Sequence, residues 1–178
     1  MRIVLLTAGV RGIGTYCVNL YHRLRAEGHE VLLISERSWE KESIESFYQA
    51  HSFMLFGMAP VVYHPGDLVR AILEFEPDLI HHHWPCGTMD FLFGIVAKHG
   101  IPYVVTVHVS LASKQHILDR FWFRLFSVYR RWMPRAAAVN CISDFVRRQL
   151  AQRVSVPHDR VHRIYAGVDV ELFRPLET

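Results

Sequence analysis

Short apolar runs alternate along this chain with segments that repeat apolar residues at helical spacing. The runs are RIVLLT at 2–7, EVLLIS at 30–35, DLIHHHW at 78–84, PYVVTVH at 102–108, AAVNCIS at 137–143 and VHRIY at 161–165. Several are apolar at consecutive positions, which implies burial on both faces and hence parallel strands covered by helices. Helix stop signals punctuate the intervening segments: residues 15–27 end at Gly28, 66–76 end before Pro77, and 88–99 end at Gly100 and Pro102. The alternation predicts an α/β fold, a doubly wound Rossmann-like parallel sheet with helices on both faces. The stretch from Glu36 to Pro65 is the least regular and is expected to hold one more strand and a connection across the top of the sheet.

In an open parallel sheet, ligands bind beyond the carboxyl ends of the strands. That rule selects Gly9 to Gly14, Ser35-Glu36, His83 to Gly87, His108 to Ser110, and Ser143-Asp144. The first of these, in TAGVRGIG, joins an apolar strand to a helix. A helix N-terminus leaves its first amides unpaired and carries partial positive charge, so such a turn suits a phosphate. A tight β–α turn that binds nothing is the structural alternative.

TAGVRGIG is similar to the TGxxxGxG turn of short-chain dehydrogenases, with Ala8 in place of a glycine and Glu36 near the expected ribose-binding acid. That resemblance implies an NAD(P)-binding reductase. Its chemistry requires a tyrosine with a lysine four residues on. Tyr16, Tyr21, Tyr48, Tyr63, Tyr103, Tyr129 and Tyr165 are followed at that spacing by Leu, Arg, Ser, Asp, Val, Met and Asp.

Histidines supply the next candidate chemistry. Alternation along a strand puts His81 and His83 on one face and His82 on the other, so the run alone does not bring three ligands around one metal ion. Residues 115–133 read as a helix with Leu118, Phe121, Trp122, Leu125, Tyr129 and Trp132 on one stripe. Phe123 and Phe126 lie off that stripe beside arginines, a pattern that suits core packing, contact with another domain, or docking on an anionic membrane.

Composition narrows the class. At 178 residues, with 51% hydrophobic and 21% charged, the chain suits one ordinary globular domain. A net charge of +3 gives no argument for nucleic acid. Cys17, Cys86 and Cys141 are far apart with no CxxC spacing, which fits reduced thiols in a cytoplasm. The apolar run after Arg2 is too short for a signal peptide, and no stretch is long enough to span a bilayer.

The strongest likeness lies at the other end. AAAVNCISDFVRRQL followed by VPHDRVHRIYAGVDVELFRP resembles the end of the N-terminal domain of family 4 glycosyltransferases with the GT-B fold. Ser143, Gly167, Val168, Asp169, Phe173 and Pro175 stand at the positions of that motif. Upstream, GIGTYCVNLYHRLRAEGHEV is similar to the family's glycine loop and first helix, DLIHHHWP to its histidine-bearing strand, and GIPYVVTVH to the strand that ends in its active-site histidine. The likeness covers nearly the whole chain.

The resemblance implies that residues 1–178 form one half of a GT-B fold, the N-terminal acceptor-side domain, with the donor-binding C-terminal domain absent from these residues. It implies transfer of a sugar from a nucleoside-diphosphate sugar to an acceptor with retention, and needs neither a cofactor nor a metal. His108 matches the catalytic histidine. Gly12 and Gly14 match the donor-phosphate loop, and Tyr16, His83, Trp84 and Ser143 are expected along the acceptor cleft, with Asp90 near its edge. Expected partners are the C-terminal domain or a separate donor-binding subunit, and a small-molecule, glycan or lipid acceptor, with peripheral contact at the inner membrane face. Nucleic acid is not an expected partner. The isolated domain is expected to be inactive. Two other readings stand beside this one: the NAD(P)-dependent reductase and a non-catalytic subunit of a split glycosyltransferase.

Overall fold

The structure is a computed structural model that describes residues 1–9, 11–36, 44–55, 59–84, 89–108 and 131–167. Its strands are β1 (Arg2–Thr7), β2 (Glu30–Ser35), β3 (Phe47–Gln49), β4 (Ser52–Leu55), β5 (Ala59–Val62), β6 (Leu79–Trp84), β7 (Tyr103–Val107), β8 (Ala138–Cys141) and β9 (Val161–Arg163). The described α-helices are α1 (Arg11–Ala26), α2 (Pro65–Glu74), α3 (Met89–Val96) and α4 (Asp144–Arg153). Seven strands form one sheet in the order β3-β2-β1-β6-β7-β8-β9, and every pairing in it is parallel. β4 and β5 form a separate antiparallel pair.

The six runs read as strands from their apolar continuity are all strands of this sheet. The segment from Glu36 to Pro65 holds more than the one strand expected: an edge strand, β3, and the β4–β5 hairpin. These strands are only three or four residues long, too short to print a period.

The sheet carries a core on each face. On one, Ile3, Leu5, Val31 and Leu33 pack under Cys17, Val18 and Tyr21 of α1. On the other, Val4, Leu6, Ile80, Val105 and Val139 meet Leu68 and Ile72 of α2, Phe93 and Val96 of α3, and Val146 and Leu150 of α4. Burial on both faces is why these strands tolerate consecutive apolar residues.

Strand order reverses between β1 and β6. From β1 the chain winds outward through β2 and β3; it then returns beside β1 as β6 and winds the other way to β9. The crevice at this reversal, outside the carboxyl ends of β1, β6 and β7, is where an open α/β sheet holds its ligand.

The turn from β1 to α1 differs from the sequence expectation. The helix begins at Arg11, so Gly12 and Gly14 lie in its first turn instead of in a loop before it. The left-handed residue that turns the chain is Gly9, at φ 68°. Its N–H donates to Thr7 Oγ1 at 3.1 Å, which fastens the turn to the end of β1. Gly9 is required by backbone geometry, whereas Gly12 and Gly14 are not required to turn the chain.

Candidate active site

At the crevice, β6 and β7 bring histidines together. Leu5 aligns with His81 and Leu6 with His82, so His81 and His83 face the α1 side while His82 faces the other core. The rings obey this alternation: His81 and His83 lie 4.1 Å apart between centroids, and His82 packs against Phe93 at 4.5 Å. His83 aligns with Thr106 of β7, two residues before His108. The two imidazoles thereby meet across the strands, His83 Nδ1 lying 3.0 Å from His108 Nε2.

His108 is fixed at two further points. Its backbone N–H donates to the Trp84 carbonyl at 3.2 Å. Tyr16, in the second turn of α1, stands edge-on to its ring with centroids 5.1 Å apart, and lies 5.6 Å from His83. Gly12, Gly14, Tyr16, His83 and His108 are therefore gathered by one helix start and two strand ends. Gly12 is exposed and Gly14 buried.

Burial sets the protonation of this cluster. It holds His108 and His81 down to about 4, below the ordinary imidazole range, and holds His83 lower than that range as well, with neighbouring imidazoles adding to the effect on His81 and His83. At neutral pH all three are uncharged, each with one ring nitrogen that donates and one that accepts. Burial also raises the Tyr16 phenol. The cluster can therefore donate and accept hydrogen bonds without supplying positive charge.

The other expected site residues have structural duties. Trp84 is buried in the core and lends its carbonyl to His108. Ser143 caps α4: its backbone is extended at φ −157°, and Oγ accepts from the Val146 N–H at 3.2 Å, a bond type worth about 1 kcal/mol. His83 is fully buried and meets the cleft edge at His108 Nε2. The Asp90 side chain, Ser110, Asp169, Phe173, Pro175 and most of the 115–133 helix lie outside the described residues.

Sequence periodicity did not reveal a second polar element. His81 Nε2 lies 2.8 Å from Thr106 Oγ1, which accepts from Asn140 Nδ2 at 3.4 Å, and Asn140 Oδ1 accepts from the Ile164 N–H at 2.8 Å. The ladder runs from β6 across β7 and β8 to the segment after β9. Its signal in the sequence is a polar residue inside each apolar run, but which of them meet depends on strand register. Among the described residues no group of histidine, cysteine or acidic side chains is placed to hold a metal ion. Among them, too, no helix is long and apolar enough to cross a membrane.

Comparison with known proteins agrees with the fold. Residues 10–172 match the model of Glycosyltransferase Family 4. No curated protein matches. A glycosyltransferase from Rickettsia africae is 16% identical with a TM-score of 0.63, over 96% of this chain and 44% of that one. MurG from Acinetobacter baumannii is 12% identical at TM-score 0.61, over 94% and 46%. The UDP-GlcNAc 2-epimerase of Neisseria meningitidis is 13% identical at 0.62, over 92% and 45%. The chain thus spans less than half the length of each of these structures. At such identities they establish the fold, and the family model, spanning nearly the whole sequence, displaces the dehydrogenase likeness of the first turn. With its parallel Rossmann-like sheet and this match, the chain belongs to glycosyltransferase family 4, as an N-terminal GT-B domain.

Proposed function

We propose that this domain is the acceptor-side half of a retaining, metal-independent glycosyltransferase that uses a nucleoside-diphosphate sugar. The observation that carries the reading is the place of His108: at the carboxyl edge of β7, beside the start of α1, in the crevice where strand order reverses. A donor bound there has its phosphates near the positive end of α1, where Gly12 leaves the backbone uncovered. His108, uncharged, hydrogen-bonds a hydroxyl of the donor sugar and holds the anomeric carbon in place.

The acceptor hydroxyl then attacks from the face that the phosphate leaves. The new C–O bond forms as the bond to the β-phosphate oxygen breaks, and the hydroxyl proton passes to that departing oxygen. The rate comes from placing the two partners and from stabilising charge on the pyrophosphate. The nucleotide is held chiefly by a donor-binding domain or subunit that completes the cleft. A small molecule, a glycan or a lipid at the inner membrane face is the acceptor class.

The test is nucleotide release by the full-length enzyme from a panel of nucleoside-diphosphate sugars. UDP-GlcNAc comes first, because the Neisseria epimerase of the same fold was bound to it. His108→Ala is expected to lower kcat by about a hundredfold. Unchanged turnover in a folded His108→Ala enzyme would overturn the reading. The anomeric configuration of the product tests retention, and turnover in EDTA tests independence from metal.

A further inference from the structure

A buried imidazole is costly to keep. Its ring nitrogens lose water, and an apolar side chain would fill the same space without that loss. His83 is fully buried in a sheet whose cores are built chiefly of Leu, Ile and Val, and it lies beside Thr106 of β7 and the His81 ring. Packing alone would be better served by an apolar side chain. What the imidazole adds is a polar atom directed at His108 Nε2, 3.0 Å from its Nδ1.

The surroundings of His83 hold that direction. The His81 ring lies 4.1 Å away, tilted by 30°, and is itself tied to Thr106. Tyr16 stands over both His83 and His108 from α1. His83 is therefore held by its own strand, by β7 and by the helix that starts the crevice. His108 in turn has its backbone N–H on Trp84 and its Nε2 on His83. Among the described residues, the ring nitrogen left to it is Nδ1.

We propose that His83 is the positioning residue for His108: by occupying Nε2 it fixes the rotation of the His108 ring and reserves Nδ1 for the substrate. This rests on the reading of His108 as the donor-sugar contact. One proton lies between the two rings, so one nitrogen of the pair donates and the other accepts. A His108 ring without this bond can turn over and present either nitrogen, which spreads its population over poses that do not engage the sugar.

The pairing is tested on this chain by imidazole 15N NMR at pH 7. In the unmodified protein, one and only one of His83 Nδ1 and His108 Nε2 is expected to carry a proton. Both protonated, or both bare, overturns the proposal without any variant. His83→Phe keeps a flat aromatic ring and removes the bond, and is expected to move the His108 nitrogen shifts toward an average of the two tautomers. His83→Asn places a polar atom where Nδ1 stood and is expected to restore them. Unmoved His108 shifts in a folded His83→Phe protein also overturn the proposal.

In the full-length enzyme, His83→Phe is expected to lower kcat by roughly tenfold to a hundredfold, with His83→Asn recovering most of it. The two readings fail separately. An intact imidazole pair in an enzyme that transfers no sugar refutes the transferase reading; a normal kcat in His83→Phe refutes the positioning role and leaves the transferase reading in place.

Discussion

Tyr16 meets His108 edge to face, with ring centroids 5.1 Å apart and planes at 71°. The contact joins α1 to the end of β7, so the helix whose N-terminus faces the crevice also touches the imidazole. An edge-on aromatic pair contributes about 0.5–1.5 kcal/mol beyond the area it buries. Tyr16→Phe keeps the ring and is expected to leave turnover of the full-length enzyme within about threefold, whereas Tyr16→Ala removes it and is expected to lower kcat at least tenfold. Equal turnover by Tyr16→Ala and the parent would show that the ring does not position His108.

Acid should weaken this domain through its buried imidazoles. Unfolded histidine takes up a proton near pH 6.5, while His81 and His108 in the fold wait until about 4, and His83 is also held below the ordinary range. Between those values the unfolded state binds more protons, so stability rises with pH there and is lost as pH falls from 6.5 toward 4. Each such group steepens the loss by up to about 1.4 kcal/mol per pH unit. Among the described residues, the groups facing the cluster of His81, His83 and His108 are Tyr16 from α1 and Thr106 from β7, with His82 on the opposite face of β6. None of these is a carboxylate that could hold the added charge. The urea midpoint is expected to be clearly lower at pH 5 than at pH 7, and His108→Gln is expected to flatten the slope. A midpoint that stays constant over this range would show that the imidazoles protonate freely in the fold.

The legible and illegible parts of this molecule differ for physical reasons. Strands buried on both faces print consecutive apolar residues, and β1, β2, β6, β7 and β8 could each be placed within a residue or two. The edge that carries the candidate site was legible for a related reason, since parallel order puts every carboxyl end on one edge. Three things were not. β3, β4 and β5 are too short for a period. The start of α1 was misplaced because glycines read as a loop, whereas the turn needs only Gly9 and the helix accepts Gly12 and Gly14. The His83–His108 bond depends on the register between β6 and β7, which no pattern within either strand encodes.

Gly94 of α3 lies directly beneath the indole of Trp132. A Cβ added there would fall 2.7 Å from Cζ2 and 3.0 Å from Cε2 of that ring. The residue is held from several sides. The Trp132 carbonyl accepts from the Tyr103 hydroxyl at 2.7 Å, and the guanidinium groups of Arg131 and Arg135 lie 5.6 and 5.4 Å from its centre. Alanine gains about 1 kcal/mol of intrinsic helix preference over glycine, but overpacking a fixed neighbour costs about 1–3 kcal/mol. Gly94→Ala is therefore expected to be net destabilising, by about 1 kcal/mol, as a lowered urea midpoint at unchanged slope. A raised midpoint would mean that the indole moves aside easily.

Gly12 is the converse case. Nothing lies within 4 Å of the position a Cβ would take there, the residue is helical, and it is exposed. The fold has no need of glycine at this place, and alanine should leave stability within about 1 kcal/mol or raise it. The positive end of α1 does have a use for a bare backbone, because a phosphate can approach its amides only where no side chain intervenes. Gly12→Ala is accordingly expected to unfold at the same denaturant concentration as the parent or higher, while the full-length enzyme carrying it shows a KM for the nucleotide sugar raised at least tenfold. Thermal melts of the variant with and without the nucleotide sugar separate the two effects: the parent is expected to be stabilised by the donor, and the variant much less at the same concentration. A variant that is stabilised and turns over like the parent would place the phosphates elsewhere in the crevice and leave Gly12 as an incident of the turn.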